Sequence, residues 1–337
     1  MWRRTALGLL IAVPVLAFVF LRTDVTETIE ALKDANYLLI VPAVALFLAA
    51  VWLQAVRWRF LLKPLADVSP VRLYPLVFIG HLGNSLLPLR GGDILRAFVL
   101  NRREGISVAA ALGTLVVEHI LDGVMLVGLL VIFLSSANAG ERLWQVALVS
   151  GLVFGGAAFA LIAAAIWHER TEQLAELAVS KLPERWRARL HHWISSFLTG
   201  TRALRSPNIV AVVFVTTAAF WLIVAVVYMI VGEAFHIDEG FGTYLGVAAA
   251  ANLAFSVPLT QGGVGSFEFL VQQALIFTDV DEAVAVAYAL VLHALVLVSM
   301  VSAGLVSLWL VGFSLREIGE KAAADSGEPE EEATLRL

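Results

Sequence analysis

The sequence contains no cysteine. That excludes a disulfide framework, a thiol nucleophile and a thiolate metal site, and it leaves the redox compartment unread. Charge is scarce as well: 15% of the 337 residues are Asp, Glu, Lys or Arg, where a soluble domain carries about 25%. The formal charge of −5 speaks against nucleic acid as a partner. No P-loop, nucleophile elbow, HExxH helix or dinucleotide fingerprint occurs in a setting that would confirm it. His191 and His192 are adjacent and so diverge on a helix; neither a metal nor any other cofactor is expected.

What the chain has instead is apolar surface, with 60% of its residues hydrophobic. These residues come in runs of roughly seventeen or more, which read as membrane spans rather than as a soluble core. The fold class expected is therefore an all-α polytopic membrane protein. Six segments are long enough to cross a hydrocarbon core of about 30 Å: Thr5 to Leu21, Tyr37 to Val56, Ile106 to Leu134, Leu143 to Trp167, Asn208 to Gly232 and Glu282 to Gly312. The first has a basic end like a signal peptide but no clear small-residue cleavage pattern before Arg22, so it reads as a retained span.

Two further apolar stretches, Leu73 to Leu100 and Phe241 to Phe277, are broken in the middle by Pro and Gly. Lys and Arg in the short connections give the orientation. Arg3 and Arg4 place the N-terminus inside, and Arg57, Arg59, Lys63 and Arg72 return the chain to the inside after the second span. Arg96, Arg102 and Arg103 follow the first broken stretch, so both of its ends lie inside and it reads as a re-entrant hairpin with its tip at Asn84 to Gly92. The second broken stretch is flanked by Glu233, Asp238 and Glu239 and by Asp279, Asp281 and Glu282, so it enters from outside. Reading each broken stretch as a full span instead, eight in all, is the alternative. The connection 168–206 is basic, with an amphipathic run around Trp186, Leu190, Trp193, Ile194 and Phe197 suited to an anionic leaflet. Arg316 and Lys321 place the C-terminus inside. The location expected is a cytoplasmic (inner) cell membrane, crossed several times, with both termini cytoplasmic.

The two broken stretches share a pattern. Asn84, Pro88, Gly91, Gly92 and Asp93 in the first match Asn252, Pro258, Gly262, Gly263 and Glu268 in the second. The offset is roughly 170 residues, and it also brings His119 near His293 in the spans that follow. Opposite orientation makes this an inverted repeat, with half A about 1–134 and half B about 143–313 of one transmembrane domain, 1–315. Residues 316–337, with Glu328, Glu330, Glu331 and Glu332, read as a disordered acidic cytoplasmic tail. Matching interrupted segments in two halves point to a transporter site near the bilayer midplane, because backbone freed by a helix break survives in lipid only against protein or a wet cavity.

Charged residues inside the spans sharpen this. Glu118, His119 and Asp122 sit in the third span, with Glu118 and Asp122 one turn apart on one face. Each charge costs at least about 2.5 to 3.5 kcal/mol at the centre of a spanning helix, so these residues face the bundle interior and need partners, for which Arg90 and Arg96 are the candidates. Asn84, Asn252 and Gln261 bind a ligand head group or cap the hairpin ends. Glu268 falls in the first turn of a returning half-helix, where the helix dipole favours a carboxylate, and His293 is either a proton relay or a satisfied hydrogen-bonding residue.

LLPLRGGDILRAF, EHILD and VPLTQGGVGSFE, in that order, resemble the flippase-like family, also called the lysylphosphatidylglycerol synthase transmembrane-domain family. The resemblance runs from about Leu7 to about Leu315. Residue by residue it carries over Pro88, Arg90, Gly92, Asp93 and Arg96, then Glu118 and Asp122, then Pro258, Gly262, Gly263, Gly265 and Glu268. Asp93 stands where a Glu is usual and His119 where an Arg is usual, which puts the pairing of Glu118 in question. The resemblance implies movement of aminoacylated phospholipid between leaflets, and the absence of a soluble aminoacyl-transferase domain implies that the chain does not make that lipid itself. The function expected is a lipid transporter that holds a phospholipid or lipid-linked head group in a midplane cleft, Arg90 and Arg96 on the phosphate, Glu118 and Asp122 on the rest of the head group. A membrane enzyme using Glu118, His119 and Asp122 as acid and base, or a non-catalytic partner of a separate synthase or glycosyltransferase, are the alternatives. The partners expected are that lipid, a coupling proton or other ion, and further copies of the chain or a separate synthase.

Overall fold

The computed structural model describes residues 24–87, 91–136, 141–180, 183–256 and 261–312, and among these every regular element is helical. In chain order they are α1 (Val25–Asp34), α2 (Ile40–Leu62), α3 (Pro70–Leu86), α4 (Gly91–Glu104), α5 (Val108–Ser136), α6 (Glu141–Ile166), α7 (His168–Ser180), α8 (Glu184–Gly200), α9 (Pro207–Ala234), α10 (Phe241–Ser256), α11 (Ser266–Ile276) and α12 (Glu282–Val311). Five of the six expected spans are present as helices long and apolar enough to cross a bilayer: α2 with the 3₁₀ turn before it, α5, α6, α9 and α12. The sixth, Thr5 to Leu21, lies outside the described residues, as does the acidic tail.

Both broken stretches are hairpins that return to the face they left, not single spans that cross from one face to the other. The outer ends of α3 and α4 meet through Arg72 and Glu104 at 3.2 Å, and Arg103 donates to the Val311 carbonyl at the end of α12. Those ends share one face, rich in arginine, with the end of α2 and the start of α5. The outer ends of α10 and α11 lie at the opposite, acidic face. There Phe277 packs edge-on against Phe133 near the end of α5, Gln272 donates to Glu282 at 3.1 Å, and the Asn36 amide bonds the Ala234 carbonyl.

The packing repeats itself upside down. Hairpin α3–α4 packs on α5, and hairpin α10–α11 packs on α12; the first limb of each also crosses to the long span of the other half, α3 on α12 and α10 on α5. The equivalent spans α2 and α9 lie against each other and run in opposite directions. Each crossed contact is made close by a glycine, Gly304 against Phe78 and Leu82, Gly246 against Phe133. The span α6 leaves most of its apolar surface uncovered, including Leu148, Leu152 and Phe159, as a helix at the lipid boundary does. The basic connection forms α7 and α8. The C-terminal half of α8 seats on α5 where Gly113 meets the Phe197 carbonyl, and Trp186, Leu190 and Trp193 stay exposed on its other half.

Candidate functional site

At 1.5 Å per residue, Glu118 lies roughly 15 Å from the start of α5, about half the depth of a bilayer core. It is 3% exposed, and it is not alone there. Arg57, from α2, forks onto Asp122 with contacts of 2.6 and 3.0 Å and reaches Glu118 at 3.1 Å. Thr217 on α9 accepts from Arg57 at 3.0 Å, and the Trp221 indole donates to Asp122 at 2.9 Å. So α2, α5 and α9 are pinned together by one planar guanidinium whose fork matches a carboxylate.

Arg96 is held differently. It comes from α4, shares a single oxygen of Glu118 at 3.2 Å, and lies 3.7 Å above the ring of Trp58, which donates to Thr114. Its Nε and Nη2 are buried with no acceptor among the described residues, and Oε2 of Glu118 has no donor. Buried donors without partners each cost about 1 to 3 kcal/mol, so a group that supplies acceptors here is favoured by their recovery.

The first hairpin adjoins this cluster, and the second adjoins the first. Gly92 sits so close to the Gly80 carbonyl and the Asn84 amide that a β-carbon would collide with both, and its N–H bonds Asn84 Oδ1 at 3.0 Å. Asn84 also donates to Asp93, which pairs with His119 at 3.0 Å. In the second hairpin Gly262, Gly263 and Gly265 all take positive φ, a backbone that other residues resist. Glu268 accepts from the Gly265 amide at 2.7 Å and meets His293 at 2.7 Å, and His293 also bonds the Gly262 carbonyl. The two tips touch: Gly262 lies against the Ser85 carbonyl of α3 and against Leu297 of α12.

The structure thus brings together Asn84, Gly91, Gly92, Asp93, Arg96, Glu118, His119 and Asp122 in one region and Gly262, Gly263, Gly265, Glu268 and His293 beside it. Asn252 donates to the Ala248 carbonyl of its own helix and bonds the Tyr228 side chain of α9, away from the arginine cluster. Pro88, Arg90 and Pro258 lie outside the described residues, as does the side chain of Gln261.

Two expectations are corrected. Arg57 is not a loop residue that merely orients the chain; α2 continues to Leu62, and Arg57 is a buried member of the cluster. Asp122 takes Arg57 rather than Arg96, and the missing arginine at His119 does not leave Glu118 bare, since two arginines reach it from other helices. The signal for Arg57 was present in the sequence, because Trp58, Phe60, Leu61 and Leu62 extend the apolar run past it.

Comparison with known proteins gives a family model, the lysylphosphatidylglycerol synthase TM region, that matches residues 5–304. Among curated proteins, the chain is 27% identical over 318 residues to glycosyltransferase AglD of Haloferax volcanii, covering 85% of this chain and 51% of that one. The chain therefore spans about half the length of that relative. Two UPF0104 membrane proteins of Methanothermobacter thermautotrophicus are 25% and 22% identical, covering 86% and 79% of this chain and 90% and 81% of their own lengths. No solved structure matches.

Proposed function

The chain belongs to the lysylphosphatidylglycerol synthase TM-region family, and from that premise we propose that it moves a phospholipid or lipid-linked head group between the leaflets of a cell membrane. The observation that carries this reading is the half-paired Arg96 buried between hairpin α3–α4 and the spans α2 and α5. A phosphate offers acceptors to Nε and Nη2 in the fork geometry a guanidinium prefers, and Oε2 of Glu118, without a donor among the described residues, accepts from a hydroxyl or amine of the same head group. Acyl tails stay in the bilayer. Arg57 is then the fixed cation that holds the cluster together, and Arg96 the cation that serves the ligand. With the arginine-rich face inward, both termini are cytoplasmic.

Native mass spectrometry of the detergent-purified protein tests the site. Phosphate-bearing lipid is expected on the wild-type chain and lost on Arg96→Gln, with Arg102→Gln on the outer part of α4 as the control. Equal lipid retention by the two variants would count against Arg96 as the phosphate ligand.

A second reading has its own support. The relative named a glycosyltransferase matches through half its length, and the His119–Asp93 pair is an imidazole oriented by a carboxylate, the arrangement of a general base. In that reading the chain acts on lipid-linked sugars, or serves a separate glycosyltransferase. Covalent change of a lipid-linked sugar by the purified chain would favour it over transport.

A further inference from the structure

The inverted repeat duplicates one chemical feature at bilayer depth. Asp93 and Glu268 are each the third residue of a returning half-helix, α4 and α11. His119 and His293 each lie eleven residues beyond the first residue of the following span, Val108 of α5 and Glu282 of α12. Since those spans start at opposite faces, both histidines sit roughly 16 Å deep, near the midplane. Each acid meets its histidine, at 3.0 Å in the first half and 2.7 Å in the second. Each is also tied to its own hairpin tip, Asp93 through Asn84 to the Gly92 amide and Glu268 directly to the Gly265 amide.

Chemistry is shared between the two pairs, but access is not. The His119 and Asp93 side chains are 32% and 17% exposed, whereas those of His293 and Glu268 are 4% and 7% exposed. We propose that the two acid–histidine pairs are proton-binding sites exposed in alternation, so that this structure is one end state and its mirror, with the second pair open and the first closed, is the other. The inference rests on the transport reading and supplies its coupling ion.

The charge balance of a pair explains why a proton would be coupled to closure. Carboxylate plus imidazole carries one net negative charge; with one bound proton the pair is net neutral. A net charge enclosed away from water is costly, and a neutral hydrogen-bonded pair is not, so a pair closes with its proton bound and releases it to water only when open. Inverted repeats that swap conformations around a central site supply the two states.

The neighbouring elements place other ionisable groups as follows. Around His119, α4 presents Asp93 and Arg96, α5 itself Glu118 and Asp122, and α2 Arg57; Arg57 and Arg96 are engaged with the carboxylates of α5. From α9, Thr217 accepts from Arg57 and Trp221 donates to Asp122, and Tyr244 of α10 turns to the Ile237 carbonyl. Around His293, α11 presents Glu268 and the ring of Phe267, and α3 carries His81, bonded to Gln54 of α2. Tyr288, on α12 itself, bonds the Tyr228 carbonyl of α9.

Diethyl pyrocarbonate, which modifies accessible unprotonated imidazole, reads both pairs in the unaltered chain when modified peptides are quantified by mass spectrometry. In vesicles of phosphatidylglycerol and phosphatidylethanolamine without a gradient, His119 is expected to react and His293 to be protected. Imposing pH gradients of the two polarities, ~pH 6 against ~pH 8, should change the ratio of the two reactivities in opposite directions, by about tenfold between polarities. Glu268→Gln, which keeps a hydrogen-bonding side chain but removes its charge, should abolish that response. A ratio indifferent to polarity, or the full response in Glu268→Gln, overturns the proposal. Leaflet exchange of labelled lipid followed in the same vesicles separates the two readings. Lipid movement with an unresponsive ratio leaves transport standing and the proton sites refuted; a responsive ratio without lipid movement does the reverse.

Discussion

Arg57 shows most directly how much a single side chain holds at this depth. It is 1% exposed, forks onto Asp122 and touches Glu118, so its removal leaves a buried and a half-buried carboxylate short of a cation. Breaking such a pair by truncating one partner costs about 3 to 5 kcal/mol, whereas removing both partners together is far less costly. Arg57→Met is therefore expected to lower the melting temperature in detergent markedly, and Arg57→Met combined with Asp122→Leu to recover most of the loss. A single variant as stable as the parent would show that the cluster is solvated. At this scale the sequence was only partly legible: the carboxylates stood out because an acid inside an apolar run has no other explanation. Arg57 did not, because an arginine near the end of a span has an ordinary one, that of marking the cytoplasmic flank. Thr217 and Trp221 carry no charge to betray them, and only tertiary packing brings them to the cluster.

Helix breaks are what separate the hairpins from the spans, and the glycines at the breaks do two different jobs. Gly92 allows two backbones to approach, so Gly92→Ala is expected to cost about 1 to 3 kcal/mol in stability through overpacking that no rotamer relieves. Gly262 instead supplies a φ of 64°, and Gly262→Ala should cost about 1 to 2 kcal/mol through the backbone alone. Gly128→Ala, in open space on α5, should be neutral or mildly stabilising, since alanine favours the helix by about 1 kcal/mol. Thermal melts of the three variants check that order, and equal effects would contradict it. The breaks themselves were readable in the sequence from Pro and Gly in otherwise apolar stretches. That the two tips meet, Gly262 against Ser85, was not, because no residue pattern states a distance between halves.

For the molecule as a whole, opposed hairpins make a topological prediction that the lack of cysteine makes easy to test. Single cysteines at Arg72 and Arg102 should both label from one side of sealed vesicles, and those at Phe241 and Thr278 both from the other; a split within either pair would restore the eight-span reading. Lysine and arginine counts anticipated this arrangement because the flanks of both stretches agree in sign. The architecture matters because it places a neutral cluster of two arginines and two carboxylates, with hydrogen-bonding groups unpaired among the described residues, beside the first of two hairpins that enter from opposite faces and touch. The measurement that bears most directly on this account is leaflet exchange of fluorescent lipids in vesicles containing the purified chain. The account predicts exchange faster than in protein-free vesicles for at least one phosphate-bearing head group, lost in Arg96→Gln while the folded protein is retained. Exchange no faster than in empty vesicles for every bacterial or archaeal head group supplied would contradict it.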